Sequence, residues 1–363
     1  MMNYTIQDIF LELLRMGLWK KPSKIVFPTL NQNQWSQIYN WAKQHTVEGI
    51  LFESFEYLSE DKLPPQSIRM QWTIRIDQIE RSNIKMNEVL LYQFEKFSAS
   101  NLKPLLLKGQ GLAYCYKNPL RRVCGDIDWY FENNGYSNAK TLLKQNNITF
   151  KTTAGFSLEY VLKGVQVEHH RKLFDLHNPF KINYLKSLQK DYSQTKKYLN
   201  INNVQIPLLA PELQIIQVNA HILKHLLSFG IGIRQLCDAA ILYDSYAEKL
   251  DTEKLKIIYN KLSLLPWINV LDKILVDKIG LSSMKLPFPY PKDTVSDWMF
   301  KDIWESGNFG FYNTKSGESF AESGQRLNTT NHIFTNIKRY YKHAPAEAFF
   351  FPIIHFISKS KIL

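Results

Sequence analysis

Between Leu102 and His170 the chain changes its rhythm, and that interval sets what it can fold into. On either side apolar residues recur at helical spacing; inside it they alternate or form short runs closed by glycine. "KPLLLKG" is such a run, "GDIDWYF" alternates, "AKTLLKQNN" has helical spacing, and "FSLEYVLKGVQVEHHRKLF" holds two alternating runs joined by Lys163-Gly164. A two-residue link with glycine second is a tight hairpin turn. The spacing therefore predicts an α+β chain, with a small mixed-sheet core over 101–190 flanked by a helical segment over 1–100 and a helical domain over 191–363.

The N-terminal helical signals are "TIQDIFLELLRMG", "NQWSQIYNWAKQHTVEGILFESF" and the long "SIRMQWTIRIDQIERSNIKMNEVLLYQFEKF", with Pro64-Pro65 as punctuation. After about Asp191 come "PELQIIQVNAHILKHLLSFG", with Pro211 near the first helical position, "IGIRQLCDAAILYDSYAEKL" and "EKLKIIYNKLSLLPWINVLDKILVDKIG". A Gly- and Asn-rich segment near 305–330 reads as a loop or a lid. At 363 residues, 45% of them hydrophobic, the chain has enough apolar surface for two or three packed units.

A formal charge of +12 favours anionic partners, but the lysines are spread along the whole chain without a basic block. A solvated basic surface explains them better than a dedicated nucleic-acid face. Cys115, Cys124 and Cys237 have no paired spacing, so neither a disulfide framework nor a thiolate metal site is expected, and a reducing cytoplasm fits. "MMNYTIQDIFLELL" lacks the pattern of a secretory signal, and no apolar run has the length of a membrane span. The aromatic and basic C-terminal stretch "YYKHAPAEAFFFPIIHFISKSKIL" is compatible with peripheral membrane contact, although Pro352 interrupts it and core packing explains its aromatics equally well.

The chemistry concentrates in "LLLKGQGLAYCYKNPLRRVCGDIDWYF". On a strand, residues two apart share a face, so Asp126 and Asp128 point one way while Ile127 and Trp129 point to the core. Two carboxylates on one face repel unless a cation lies between them, and hard oxygen donors suit Mg²⁺. Upstream, the strand end Lys108-Gly109-Gln110-Gly111 leads into a helix expected to open at "LAYCYKN". That turn offers backbone N–H groups to an anion, Lys108 adds a point charge, and Arg122 could grip phosphate oxygens with both arms of its guanidinium.

These residues resemble the DNA polymerase β-like nucleotidyltransferase superfamily, whose signature is a strand, a glycine turn, a helix and a strand bearing Asp-x-Asp. More narrowly the chain resembles a bacterial family of uncharacterised nucleotidyltransferases, through "LLLKG", Arg122, "GDIDWYF", "VQVEHH" and "LLAPELQIIQVNAHILKHL…IRQLCDAA". The resemblance runs from about Trp41 to beyond Asp238. The superfamily usually has Gly-Gly or Gly-Ser at the turn; here it is Gly109-Gln110, so the grip on phosphate differs in detail. The resemblance implies transfer of a nucleoside monophosphate from an NTP to an acceptor, with pyrophosphate released and Mg²⁺ or Mn²⁺ held by Asp126, Asp128 and Glu168. Glu168 is then the third carboxylate, with Glu159 and Asp175 as its competitors.

His169 or His170 is expected beside Glu168 as a polar pocket residue. His221 and His225 stand one helical turn apart without the glutamate of a zinc protease, so they and the turn-spaced pair Arg234 and Asp238 are candidates for the far wall of the cleft or for a helix ion pair. The acceptor is open among a sugar-like small molecule, a protein hydroxyl and a nucleic-acid end, the last not favoured. Two rivals stand beside the enzyme: a catalytically inactive nucleotide- or partner-binding protein on the same fold, and a basic nucleic-acid-binding protein.

Overall fold

The structure, a computed structural model, describes residues 4–153, 155–308 and 329–360. Of the segment near 305–330 expected to form a loop or lid, residues 309–328 lie outside the described residues.

Four helices precede the sheet: α1 (Ile6–Trp19), α2 (Gln32–Gln44), α3 (Glu48–Phe52) and α4 (Gln66–Ala99). Local chemistry fixes their starts. Thr5 and Asp8 close a reciprocal capping box on α1, and Asn31 and Gln34 do the same on α2. The 34-residue α4 begins straight after Pro65 and serves two cores. Ile68, Trp72, Ile76 and Ile79 pack into the helical core, whereas Met86, Val89, Leu90 and Phe97 pack beneath the sheet.

The sheet has seven strands: β1 (Pro104–Leu106), β2 (Asp126–Phe131), β3 (Lys151–Thr152), β4 (Leu158–Leu162), β5 (Val165–His170), β6 (Lys197–Ile201) and β7 (Val204–Leu208). Their spatial order is β3-β4-β5-β2-β1-β7-β6, with β2–β5 and β1–β7 parallel and the other pairs antiparallel. The sheet is mixed, as expected. The hairpin turn at Lys163-Gly164 forms with φ 50° and 77°, both left-handed, as a tight turn between twisted strands needs.

Two expectations are corrected. The helix expected to open at Leu112 is instead the short α5 (Lys108–Ala113), which ends where that helix was to begin. The chain after Asp191 does not return directly to helices, because β6 and β7 extend the sheet beyond residue 190. They turn at Asn202-Asn203, again with both φ positive (48° and 67°). Pro207 sits inside β7, and a proline within a run argues against a strand when only sequence is read.

Helices cover both faces of this sheet. Ile127, Trp129, Phe131 and Val167 pack with α4 and with Ala139 and Leu143 of α6 (Gly135–Gln145). The opposite face carries Asp126, Asp128 and Glu168. The later helices are α7 (Ile182–Asp191), α8 (Pro211–Leu227), α9 (Ile233–Tyr246), α10 (Thr252–Leu262), α11 (Leu265–Asp277), α12 (Asp297–Ser306), α13 (Thr329–Tyr340) and α14 (Pro345–Ser360). Two of them, α8 and α9, stand over these acids. Among the described residues no helix is long and apolar enough to cross a membrane.

Candidate active site

A cleft of about 400 Å³ opens between β2, β5 and the helices α8 and α9. Lys108, Gly109, Asp126, Asp128 and Glu168 line it from the sheet side; His221, His225, Arg234 and Asp238 line it from the helices. Strand register accounts for the acidic cluster. The parallel pairing sets Asp128 beside Glu168, and Glu159 of β4 lies opposite Glu168 on its other side. Three neighbouring strands thus deliver one carboxylate each to the same row, and Asp126 stands one step earlier on β2.

Gly109 brings the turn against these carboxylates. Its backbone is in the left-handed region (φ 45°, ψ −119°), and a methyl group there would meet the Asp126 carbonyl oxygen at 3.2 Å and Asp128 Oδ2 at 3.6 Å. Lys108 reaches inward, its Nζ 3.2 Å from Asp128 Oδ1 and 3.5 Å from His221 Nε2. Burial opposes the charge on this lysine, but Asp128, Glu168, Asp126 and Asp175 outweigh it and raise its pKa.

Asp128 is the most enclosed of the acids, 1% exposed. Its Oδ1 accepts from His170 Nε2 at 2.7 Å, while Oδ2 is buried with no hydrogen-bond partner. A buried carboxylate oxygen without a partner is costly, and a cation would relieve it. Burial raises the carboxyl of Asp126, and the charge of Asp128 adds to it, pushing it up to about 6. Burial acts in the same sense on Asp128, yet Lys108 and the hydrogen bond from His170 hold it below the usual carboxylate range. Two acids two residues apart are thereby driven in opposite directions. Among the described residues, the side chains whose donor atoms lie within 4.8 Å of one another, as a metal site requires, are Asp128, Glu168 and His170.

Several expected site residues do other work. His169 points through the sheet to the other side, fully buried between Phe97 and Phe131, with Nε2 2.8 Å from the Tyr160 hydroxyl. Burial lowers its pKa to about 3, so it is a neutral core residue. His170, two positions from Glu168, shares the acid's face. Gln110 also turns away: it is 2% exposed and donates from Nε2 to Asn83 Oδ1 on α4 at 2.9 Å. Asn83 in turn donates to the carbonyls of Leu120 and Arg122, so Gln110 ties the turn to the helix behind it and does not face a ligand.

Arg122 lines the cleft, but its fork is committed to a buried carboxylate. Nε and Nη2 meet Asp238 Oδ1 and Oδ2 at 2.8 and 2.7 Å, and the Tyr116 hydroxyl donates to the same Oδ1 at 2.7 Å. The turn-spaced ion pair between Arg234 and Asp238 is therefore not what forms. Arg234 donates from Nη1 to the Val123 carbonyl instead, and its Nε is buried without a hydrogen-bond partner. Asp175, a competitor for the acid's role, is held by His221 Nδ1 at 2.9 Å and Lys224 Nζ at 3.0 Å, well below its usual pKa although burial opposes this. Burial lowers His221 to about 4, with Lys108 adding to the effect, and its ring stands edge-on to His225, 4.3 Å between centroids.

Lys224 and Thr153 also line the cleft and carry no assignment in the sequence reading. Lys224 follows His221 by three positions, so helical spacing alone would have placed it on that face. Thr153 follows the two-residue β3, which is too short to leave a pattern.

Comparison with known proteins reaches the level of family. No curated protein matches the sequence. Among solved structures, an antigenic nucleotidyltransferase-like protein from Paracoccidioides brasiliensis aligns at 14% identity over 58% of this chain and 95% of its own, with a TM-score of 0.36. The profile of a family described as uncharacterised nucleotidyltransferase matches residues 31–268, from the edge of α2 into α11, and so takes in the sheet, the cleft and both helices above it. The chain belongs to the uncharacterised nucleotidyltransferase family.

Proposed function

We propose that this protein is a divalent-metal-dependent nucleotidyltransferase that moves a nucleoside monophosphate from an NTP to a hydroxyl on a small molecule, such as a sugar, or on a protein. One observation carries the reading: Asp126, Asp128 and Glu168 line a single cleft with Gly109 and Lys108, and one buried oxygen of Asp128 has no partner. A bound Mg²⁺ or Mn²⁺ would supply charge neutralisation at the triphosphate, and Asp126, Asp128 and Glu168 are the residues that would hold it. Gly109 lets phosphate oxygens approach the backbone, and Lys108 is near enough to shift from Asp128 to a phosphate. In the reaction the acceptor oxygen bonds to the α-phosphorus while the bond from that phosphorus to the bridging oxygen breaks. Pyrophosphate leaves, and a carboxylate, Glu168 or Glu159, takes the acceptor proton. The three cysteines are unpaired, in keeping with a reducing cytoplasm.

The test is incubation of wild type and of Asp126→Asn/Asp128→Asn with each α-labelled NTP, Mg²⁺ or Mn²⁺ and a cell lysate. Label should pass to an acceptor with the wild type alone. Equal labelling by both proteins, or metal-independent nucleotide binding, would sink the proposal.

A further inference from the structure

His170 sets an imidazole nitrogen beside two of the three acids. Its Nε2 lies 2.7 Å from Asp128 Oδ1 and 3.6 Å from Glu168 Oε2, and it is 4% exposed. One donor atom from each of the three lies within 4.8 Å of the others, and the Asp128 carboxylate among them has its Oδ2 buried without a hydrogen-bond partner. β2 and β5 run parallel in register, with Asp128 beside Glu168 and Tyr130 beside His170, so the three side chains rise from one rigid patch of sheet and not from loops. A lone hydrogen-bonding role for His170 leaves Oδ2 unexplained. A cation held by Asp128, Glu168 and the imidazole would give this carboxylate a countercharge beyond Lys108, whose Nζ stands 3.2 Å from Oδ1.

We infer that His170 is a direct metal ligand, and that this nitrogen makes the site prefer Mn²⁺ or a similar transition ion to Mg²⁺. Mg²⁺ favours an all-oxygen shell, whereas imidazole is a good donor to first-row transition ions. Ligation by Nε2 needs that nitrogen unprotonated: an imidazolium releases its Nε2 proton to solvent and keeps Nδ1–H, whereas a neutral Nε2–H ring loses that proton and takes one up at Nδ1. The inference rests on the nucleotidyltransferase reading of this cleft but makes a separate claim, about the donor atoms.

The experiment is pulsed EPR of Mn²⁺ added to the full chain with a non-hydrolysable NTP analogue, read for ¹⁴N modulation, with affinities for Mn²⁺ and Mg²⁺ measured in parallel. The wild type should show the nitrogen. His170→Gln should lose it, with Mn²⁺ affinity falling about 10- to 100-fold and Mg²⁺ affinity falling less. His221→Gln should keep it. His170→Asp, which restores an anionic oxygen donor, should bind metal without the nitrogen signal and shift the preference toward Mg²⁺. This variant separates loss of a ligand from loss of the fold. Bound Mn²⁺ without nitrogen modulation, or modulation that survives His170→Gln, overturns the inference and leaves the enzyme reading standing. Failure of the wild type to bind either metal or nucleotide overturns both.

Discussion

Replacing Asp238 by asparagine removes the countercharge of a guanidinium that is 4% exposed. The wild-type carboxylate accepts two bonds from Arg122, at 2.8 and 2.7 Å, and one from Tyr116 at 2.7 Å. The asparagine can still accept at one atom, but its amide would face Nη2 donor to donor, and Arg122 would be left charged and unpaired. Breaking a buried pair from one side costs about 3–5 kcal/mol. Against a total stability of roughly 5–15 kcal/mol, that is a large fraction. Urea unfolding should show the loss as a lower midpoint at unchanged slope. Arg122→Met/Asp238→Leu in a Tyr116→Phe background removes all three polar partners together, and should return to within about 1–2 kcal/mol of wild type. The same triple variant decides what Arg122 is for. Nucleotide affinity within about threefold of wild type is expected if the guanidinium is a clamp between elements. A loss for Asp238→Asn below about 1 kcal/mol would refute the clamp, and a triple variant that is stable but binds nucleotide more than about tenfold more weakly would return Arg122 to the phosphate.

The carboxyl of Asp126, raised from 3.8 to about 6, gives a pH signature. Its folded value lies above the unfolded one, so the metal-free fold should lose stability as pH rises through that window, and Asp126→Asn should remove the decline; the depressed Asp128 acts only at lower pH. Unfolding midpoints across the acidic range check this. Gln110→Ala should cost about 1–3 kcal/mol by leaving Asn83 Oδ1 buried and unpaired, while nucleotide affinity measured by titration stays unchanged. His169→Gln should lower the melting temperature by disturbing the Phe97–Phe131–Tyr160 packing yet leave metal affinity unaltered, the reverse of the His170 variants.

What could be read from the chain was whatever two neighbouring side chains settle between themselves. Asp126-Ile127-Asp128 divides its faces by strand geometry, and Lys163-Gly164 dictates its own turn, so the sheet's centre and its acids were legible. Alternation also tells the two histidines apart: Glu168 and His170 are two apart, which puts His170, and not His169, on the acids' face of the sheet. The β6–β7 hairpin was obscured because Pro207 carries the signal of a strand breaker while Asn202-Asn203 carries that of a tight turn. Partners distant in sequence left no local trace. Nothing near Arg122 announces Asp238, 116 positions on, and nothing near Gln110 announces Asn83, 27 positions back.

The join between Arg122 and Asp238 also bears on how the cleft exchanges its contents. That pair and the bond from Arg234 to the Val123 carbonyl fasten α9 to the segment leading into β2 at two adjacent points. Parting them would strip a guanidinium of its counterion, so these two pieces travel as one body. Thr153 and Glu159 also line the cleft, and there β3 is held to β4 by only two registered residue pairs. If the cleft transfers nucleotides as proposed, substitutions along 151–153 are expected to change the rate of pyrophosphate release, read by stopped flow, more than they change metal affinity.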